Sequence, residues 1–185
     1  MPAYTFHAAC GGKPVKLLGA PSTPSAMSKV AASVIVAKPR VEVFCLTQDY
    51  YLRKEWDPFL REIRFLGGAT APAAGVGVFV RAWNGLAMTV EYVSYRPCES
   101  VAIKMTAGPW FLASFGGVWR FSDAAGGGTE VTFEYGYRMR GGLLGRMLDP
   151  AVRWAFGRDV RARLAGLRRA AEETDLLARL GPGCA

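Results

Sequence analysis

The last third of the chain limits the fold more than any other stretch. From Pro150 onward, Val152, Phe156, Val160, Leu164, Leu167 and Ala171 recur at steps of four, four, four, three and four. That spacing places them on one stripe of an α-helix. The run 143–173 is the only long helical pattern, and Arg153, Arg158, Arg161, Arg168 and Arg169 fall off its stripe toward water. Pro150 after Asp149 fits a first helical position with a capping carboxylate before it, which makes 141–148 an approach segment or a separate turn. Gly157 and Gly166 each cost roughly 1 kcal/mol of helix propensity relative to alanine, so this helix must gain stability from packing. About two dozen residues span roughly 36 Å, enough to cross a small domain. The preceding chain is therefore expected to be a sheet wrapped around this helix.

The strand signals agree. Residues 29–37 carry Val30, Val34, Ile35 and Val36, and two short helices follow at 40–46 and 49–55, the second stopped by Trp56-Asp57-Pro58. A strand at 62–66 and a Gly/Ala/Pro loop at 67–75 lead into strands at 76–83, 87–96, 100–107, 111–121 and 129–139. Asn84-Gly85, Pro97-Cys98 and the Gly126–Gly128 run supply turns between them. In the last strand Val131, Phe133, Tyr135, Tyr137 and Met139 alternate with Thr132, Glu134, Gly136 and Arg138, as for a sheet covered on one face. The fold class is α+β: about seven antiparallel strands, two short helices after the first strand, and a long C-terminal helix. Residues 1–28 show no period and are expected to be a disordered or loosely ordered tail, with 29–174 as the domain and 175–185 as a second tail.

Composition narrows the function classes. The net charge of +8 favours polyanions, either an anionic membrane surface contacted peripherally or nucleic acid. No reading motif lies among the helix arginines and only Trp154 is interleaved with them, so nucleic acid is not expected. No apolar run is long enough to span a bilayer. His7 is the single histidine, and Cys10, Cys45, Cys98 and Cys184 stand far apart in the chain. No metal site and no cofactor are expected from so few ligands, and the cysteines suggest a reducing, cytoplasmic compartment.

Three motifs in order support a family resemblance: Asp49-x6-Trp56-Asp57-Pro58; Gly108-Pro109 before a strand ending Val118-Trp119-Arg120-Phe121; and Gly127-Gly128-Thr129-Glu130-Val131-Thr132. Together they resemble the START-like (SRPBCC) superfamily over 29–173, and more narrowly its polyketide cyclase/dehydrase branch. The resemblance implies a helix-grip fold with a deep apolar cavity between sheet and helix. Members bind lipids, sterols, quinones, plant hormones or polyketides, and some are aromatase/cyclases. The strand Glu91-Tyr92-Val93-Ser94-Tyr95-Arg96 is similar to Glu-Trp-Val-Ser-His-Arg of bacterial aromatase/cyclases. On that likeness Tyr92, Ser94 and Arg96 point into the cavity, and strict strand alternation also puts them on one face. Trp56 and Trp119 match family tryptophans, and Trp110 stands where the family has an aromatic after Gly-Pro. Met105 and Ile63 replace a second arginine and a tyrosine, which makes the pocket greasier.

Two functions follow as expectations. One is binding of a hydrophobic small molecule (lipid, quinone or polyketide-like), with Trp56, Leu60, Ile63, Val90, Met105, Trp110, Trp119, Phe133, Tyr135, Phe156 and Val160 lining the cavity. The other is polyketide cyclase/aromatase chemistry, with Arg96 holding an enolate or carbonyl oxygen and Tyr92 and Ser94 orienting its neighbours. Glu91 and Glu134 should face outward, so no carboxylate pair is expected inside.

Overall fold

A computed structural model describes residues 27–181. The tail expectation for 1–28 lies almost wholly outside the described residues. The chain runs β1 (Ser28–Val36), α1 (Arg40–Gln48), α2 (Tyr50–Trp56), β2 (Leu60–Phe65), β3 (Gly77–Ala82), β4 (Ala87–Arg96), β5 (Ser100–Ala107), β6 (Leu112–Asp123), β7 (Thr129–Met139) and α3 (Gly142–Glu173), and ends in a 3-10 turn, Leu176–Arg179. The seven strands form one antiparallel sheet in the order β1-β7-β6-β5-β4-β3-β2. The sheet is curled around α3, the START-like helix-grip arrangement. Consecutive strands pair as hairpins from β2 to β7, while β1 closes the far edge against β7. The two short helices carry the chain from one edge of the sheet to the other.

Local chemistry explains the boundaries. At the β3–β4 hairpin Gly85 has φ of +85°, and the Asn84 side chain accepts the Leu86 N–H at 3.1 Å. Gly128 has φ of +82°, and a Cβ there would lie 2.5 Å from the Val36 carbonyl, so the β6–β7 turn can pass the end of β1 only as glycine. Asp49 caps α2 by accepting the backbone N–H groups of Tyr51 at 2.9 Å and Leu52 at 3.1 Å.

α3 departs from its expected start. It is continuous over 32 residues, with Pro150 inside it. Proline has no N–H for the Arg146 carbonyl, yet one missing bond is tolerated where tertiary packing holds the rest. Asp149 is not a cap; it accepts the Ser28 hydroxyl at 2.8 Å and ties the helix to β1. Further along, a Cβ on Gly166 would lie 2.6 Å from the Trp56 carbonyl. The glycine therefore lets α3 cross the end of α2 in close contact.

The cysteine expectation is overturned. Cys45 and Cys98 are both disulfide-bonded, and no cysteine among the described residues is free. Both are buried. The cysteines therefore carry no argument for a reducing compartment. No helix among the described residues is long and apolar enough to cross a membrane.

Candidate functional site

The space between sheet and α3 is mostly closed by its own rings. Trp119 stacks on Phe133 with centroids 3.8 Å apart, Phe115 lies 4.9 Å from Tyr135, and Phe156 packs edge-on against Phe115, Tyr135 and Tyr137. The cavity that remains is about 60 Å³. At about 30 Å³ per water that is room for two solvent molecules, well below the roughly 300–1,000 Å³ of ordinary ligand pockets. The deep apolar hollow implied by the resemblance is thus largely filled.

Of the expected lining residues, Leu60, Ile63, Val90, Trp119, Phe133 and Tyr135 border this cavity, as does Tyr92. Trp56 is buried but outside it, its indole N–H donating to the Leu46 carbonyl at 3.3 Å. Val160 and Phe156 are packing residues, and Met105 sits under Gly108. Trp110 is 81% exposed and does not border this cavity.

Ser94 and Arg96 do not enter the cavity, and a β-bulge is the reason. Tyr92 pairs with Ile103 but Ser94 pairs with Ala102, so β4 holds one residue more than β5 at this point. Beyond the bulge the faces exchange. Tyr95, opposite the buried Val101, turns inward to contact Tyr92 and Phe44, while Arg96 is exposed. Strict alternation therefore holds only up to Tyr92.

The inward cation comes from the helix. Arg163 is 5% exposed and lines the cavity beside Arg53. Its Nη2 donates to Asp57 Oδ2 at 2.8 Å, and its Nη1 donates to the Tyr135 hydroxyl at 2.5 Å. Tyr135 in turn donates to Asp159 Oδ2 at 2.8 Å. Arg53 Nε reaches the same Asp57 oxygen at 3.1 Å, and Arg53 Nη1 reaches the Thr47 carbonyl at 3.0 Å. Two arginines thus face two aspartates, and Asp57 is shared. The Arg163 guanidinium also lies over Phe59 and Phe133, with centroids at 4.8 and 4.9 Å. Its Nε is buried without a hydrogen-bond partner among the described residues. Desolvation works against the Arg163 charge, but Asp57, Tyr135 and Asp159 outweigh it and raise its pKa. Burial raises the Asp159 carboxyl, against the pull of Arg163.

A second polar cluster borders the cavity. The Tyr50 and Tyr92 hydroxyls hydrogen-bond each other, and Tyr92 also donates to Gln48 Oε1 at 3.4 Å. Burial raises both tyrosines, Tyr92 strongly, so both stay protonated as donors. Gln48 and Tyr50 also border an outer groove of about 220 Å³ between α1, the β2–β3 loop and the C-terminal turn. These two side chains therefore form the wall between groove and inner cavity. Tyr50 is held there by stacking on Phe65 at 4.6 Å.

The sequence did carry signals for the missed residues. Arg163 is three residues after Val160 and four before Leu167, which places it within the apolar stripe. Asp57 stands in the Trp-Asp-Pro motif, directly after the helix that carries Arg53. No cluster of metal-ligating side chains occurs among the described residues.

Comparison with known proteins fits this architecture. A crystal structure from Thermus thermophilus superposes with a TM-score of 0.66 at 17% identity, covering 82% of this chain and 99% of that one. A START superfamily protein from Mycobacterium smegmatis gives 0.64 at 13% identity, covering 78% and 97%. The Zhui aromatase/cyclase of a Streptomyces species gives 0.61 at 17% identity, covering 78% and 96%. At such identities the likeness shows the fold alone. The curated proteins gave no match to the sequence. The family described as polyketide cyclase/dehydrase and lipid transport, however, matches residues 27–172. The chain belongs to that family and, within it, to the START-like fold.

Proposed function

We propose that this protein binds a hydrophobic small molecule bearing an oxygen function in the cavity between the sheet and α3. The observation that carries the reading is Arg163: a buried cation on the inner face of the helix, bordering a cavity lined by apolar and aromatic side chains together with Arg53, Gln48 and three tyrosines, with its Nε unpartnered among the described residues. A buried donor left without an acceptor is costly, and a ligand oxygen would satisfy it. The Tyr50, Tyr92 and Gln48 groups offer further hydrogen bonds across the cavity. The ligand's apolar body would displace rings that now meet, each Å² of apolar surface removed from water contributing about 25 cal/mol. Peripheral contact with an anionic membrane, from which such a ligand could be drawn, belongs to the same reading.

The test uses anilinonaphthalenesulfonate, an aromatic anion, and neutral anthracene, with stoichiometry from native mass spectrometry. The wild type is expected to bind both. Arg163→Met should weaken the sulfonate roughly tenfold and leave anthracene unchanged, with Arg163→Lys intermediate. Equal affinities in all three proteins would remove Arg163 from the site.

A cyclase reading draws on the same cavity and is favoured by one further observation. The Tyr92 hydroxyl borders the cavity and burial keeps it protonated, and in this reading it donates to a developing enolate oxygen. In this version Tyr92 and Arg163 take the roles first given to Tyr92 and Arg96. Tyr92→Phe should then change product regiochemistry from a poly-β-ketone while Arg96→Ala does not.

A further inference from the structure

α3 has a second apolar face, opposite the one that packs on the sheet. Leu143, Leu144, Met147, Leu148 and Trp154 are 75%, 62%, 73%, 46% and 64% exposed. At 3.6 residues per turn they fall within a sector of about 140° on the outward side. Trp110 lies at the same end of the domain, because Arg140 N–H donates to the Phe111 carbonyl at 2.8 Å and ties the β5–β6 loop to the foot of the helix.

Charge says what covers this face. The exposed arginines Arg146 and Arg153 flank it, and Arg158 and Arg161 continue it toward the C-terminus. Arg158 lies 5.8 Å from the Trp154 ring. The two carboxylates of the stretch turn away, Asp149 to the Ser28 hydroxyl and Asp159 to that of Tyr135. Aliphatic side chains and tryptophans bordered by arginines, without an outward acid, match the interface of an anionic bilayer. A second copy of the chain fits poorly, since pairing these faces would set arginines against arginines.

We propose that the outward face of the first four turns of α3, with Trp110, is the surface by which the protein docks on an anionic lipid bilayer. The inference rests on the membrane contact in the preceding reading but not on the ligand. Its geometry is that of a helix lying in the plane of the interface, leucines and tryptophans among the acyl chains and arginines at the headgroups.

The experiment is co-sedimentation of the full chain with phosphatidylcholine vesicles, with and without a third of phosphatidylglycerol. Wild type should sediment with the anionic vesicles only, and less as salt rises. The variant Leu143→Gln/Met147→Gln/Trp154→Gln should partition roughly tenfold more weakly, with unchanged melting and unchanged anilinonaphthalenesulfonate stoichiometry. Arg158→Gln/Arg161→Gln should lose the preference for phosphatidylglycerol. Failure of the wild type to sediment with either vesicle would overturn both the membrane contact and this surface. Wild-type sedimentation with an undiminished triple variant would overturn the surface alone. A wild-type dimer that the triple variant makes monomeric, without vesicle binding, would assign the face to a second copy instead.

Discussion

Asp57→Asn tests the interior charge network, because it keeps the shape of the side chain while removing its charge and turning one of its acceptor oxygens into an N–H donor. Asp57 is fully buried at its carboxylate and meets Arg53 at 3.1 Å and Arg163 at 2.8 Å. Each pair is worth about 4 kcal/mol at an effective dielectric constant near 20. Removing the anion forfeits about 8 kcal/mol of attraction and recovers several kcal/mol of carboxylate desolvation, for a net loss of about 3–5 kcal/mol. Arg163→Met differs in kind. Asp57 keeps Arg53, the buried cation disappears with its own desolvation cost, and methionine fills the space, so the loss should be about 0–2 kcal/mol. Against a total stability of about 5–15 kcal/mol the two variants are well separated. Guanidinium unfolding followed by tryptophan fluorescence would measure them, and Asp57→Asn should also melt about 10 °C lower. An Asp57→Asn loss below about 1 kcal/mol, or a larger loss for Arg163→Met, would refute the shared-anion account.

Four further predictions do not depend on the Asp57 figure. Gly166→Ala should destabilise by about 1–2 kcal/mol in chemical unfolding, because a clash with the Trp56 carbonyl outweighs about 1 kcal/mol of helix propensity. Gly157→Ala, whose Cβ would find only ordinary contacts from 3.4 Å outward, should be neutral or slightly stabilising in the same assay. Burial raises Asp159 above its ordinary 3.8, so the folded state holds this proton more tightly than the unfolded chain. Its contribution is therefore full below that value and is lost as pH climbs through the raised one, and Asp159→Asn should remove that loss from stability measured across the acid range. Pro150→Ala restores a backbone donor to Arg146 and should raise stability by about 1–2 kcal/mol after the entropy regained by the unfolded chain, as read from the melting midpoint.

The fold was legible because periodicities of two and of four are local, and β4, β5 and β7 fall at their expected limits. The start of α3 was not, since Pro150 is a strong local breaker and yet the helix runs through it, tied to β1 there by Asp149 and Ser28. The site was half legible. Tyr92, Trp119, Phe133 and Tyr135 border the cavity, because the side chains just before each of them still alternate between the two faces. Arg163 was passed over among many arginines on a basic helix, although its position in the apolar stripe marked it. Ser94 and Arg96 were misplaced by an insertion that no single residue type announces. The adjacent apolar pair Tyr92-Val93, followed by Tyr95, was its trace in the pattern.

That supernumerary residue at the middle of β4 bears on any comparison made column by column. In a homologue whose strand runs without it, the letters aligned with Ser94 and Arg96 occupy the opposite side of the sheet. Grafting such a strand into this chain would export Tyr95 to solvent and import a guanidinium beneath Phe44. A chimera of this kind should recover only when the kink travels with the segment, which makes the insertion, rather than the matching letters, the unit that must be inherited.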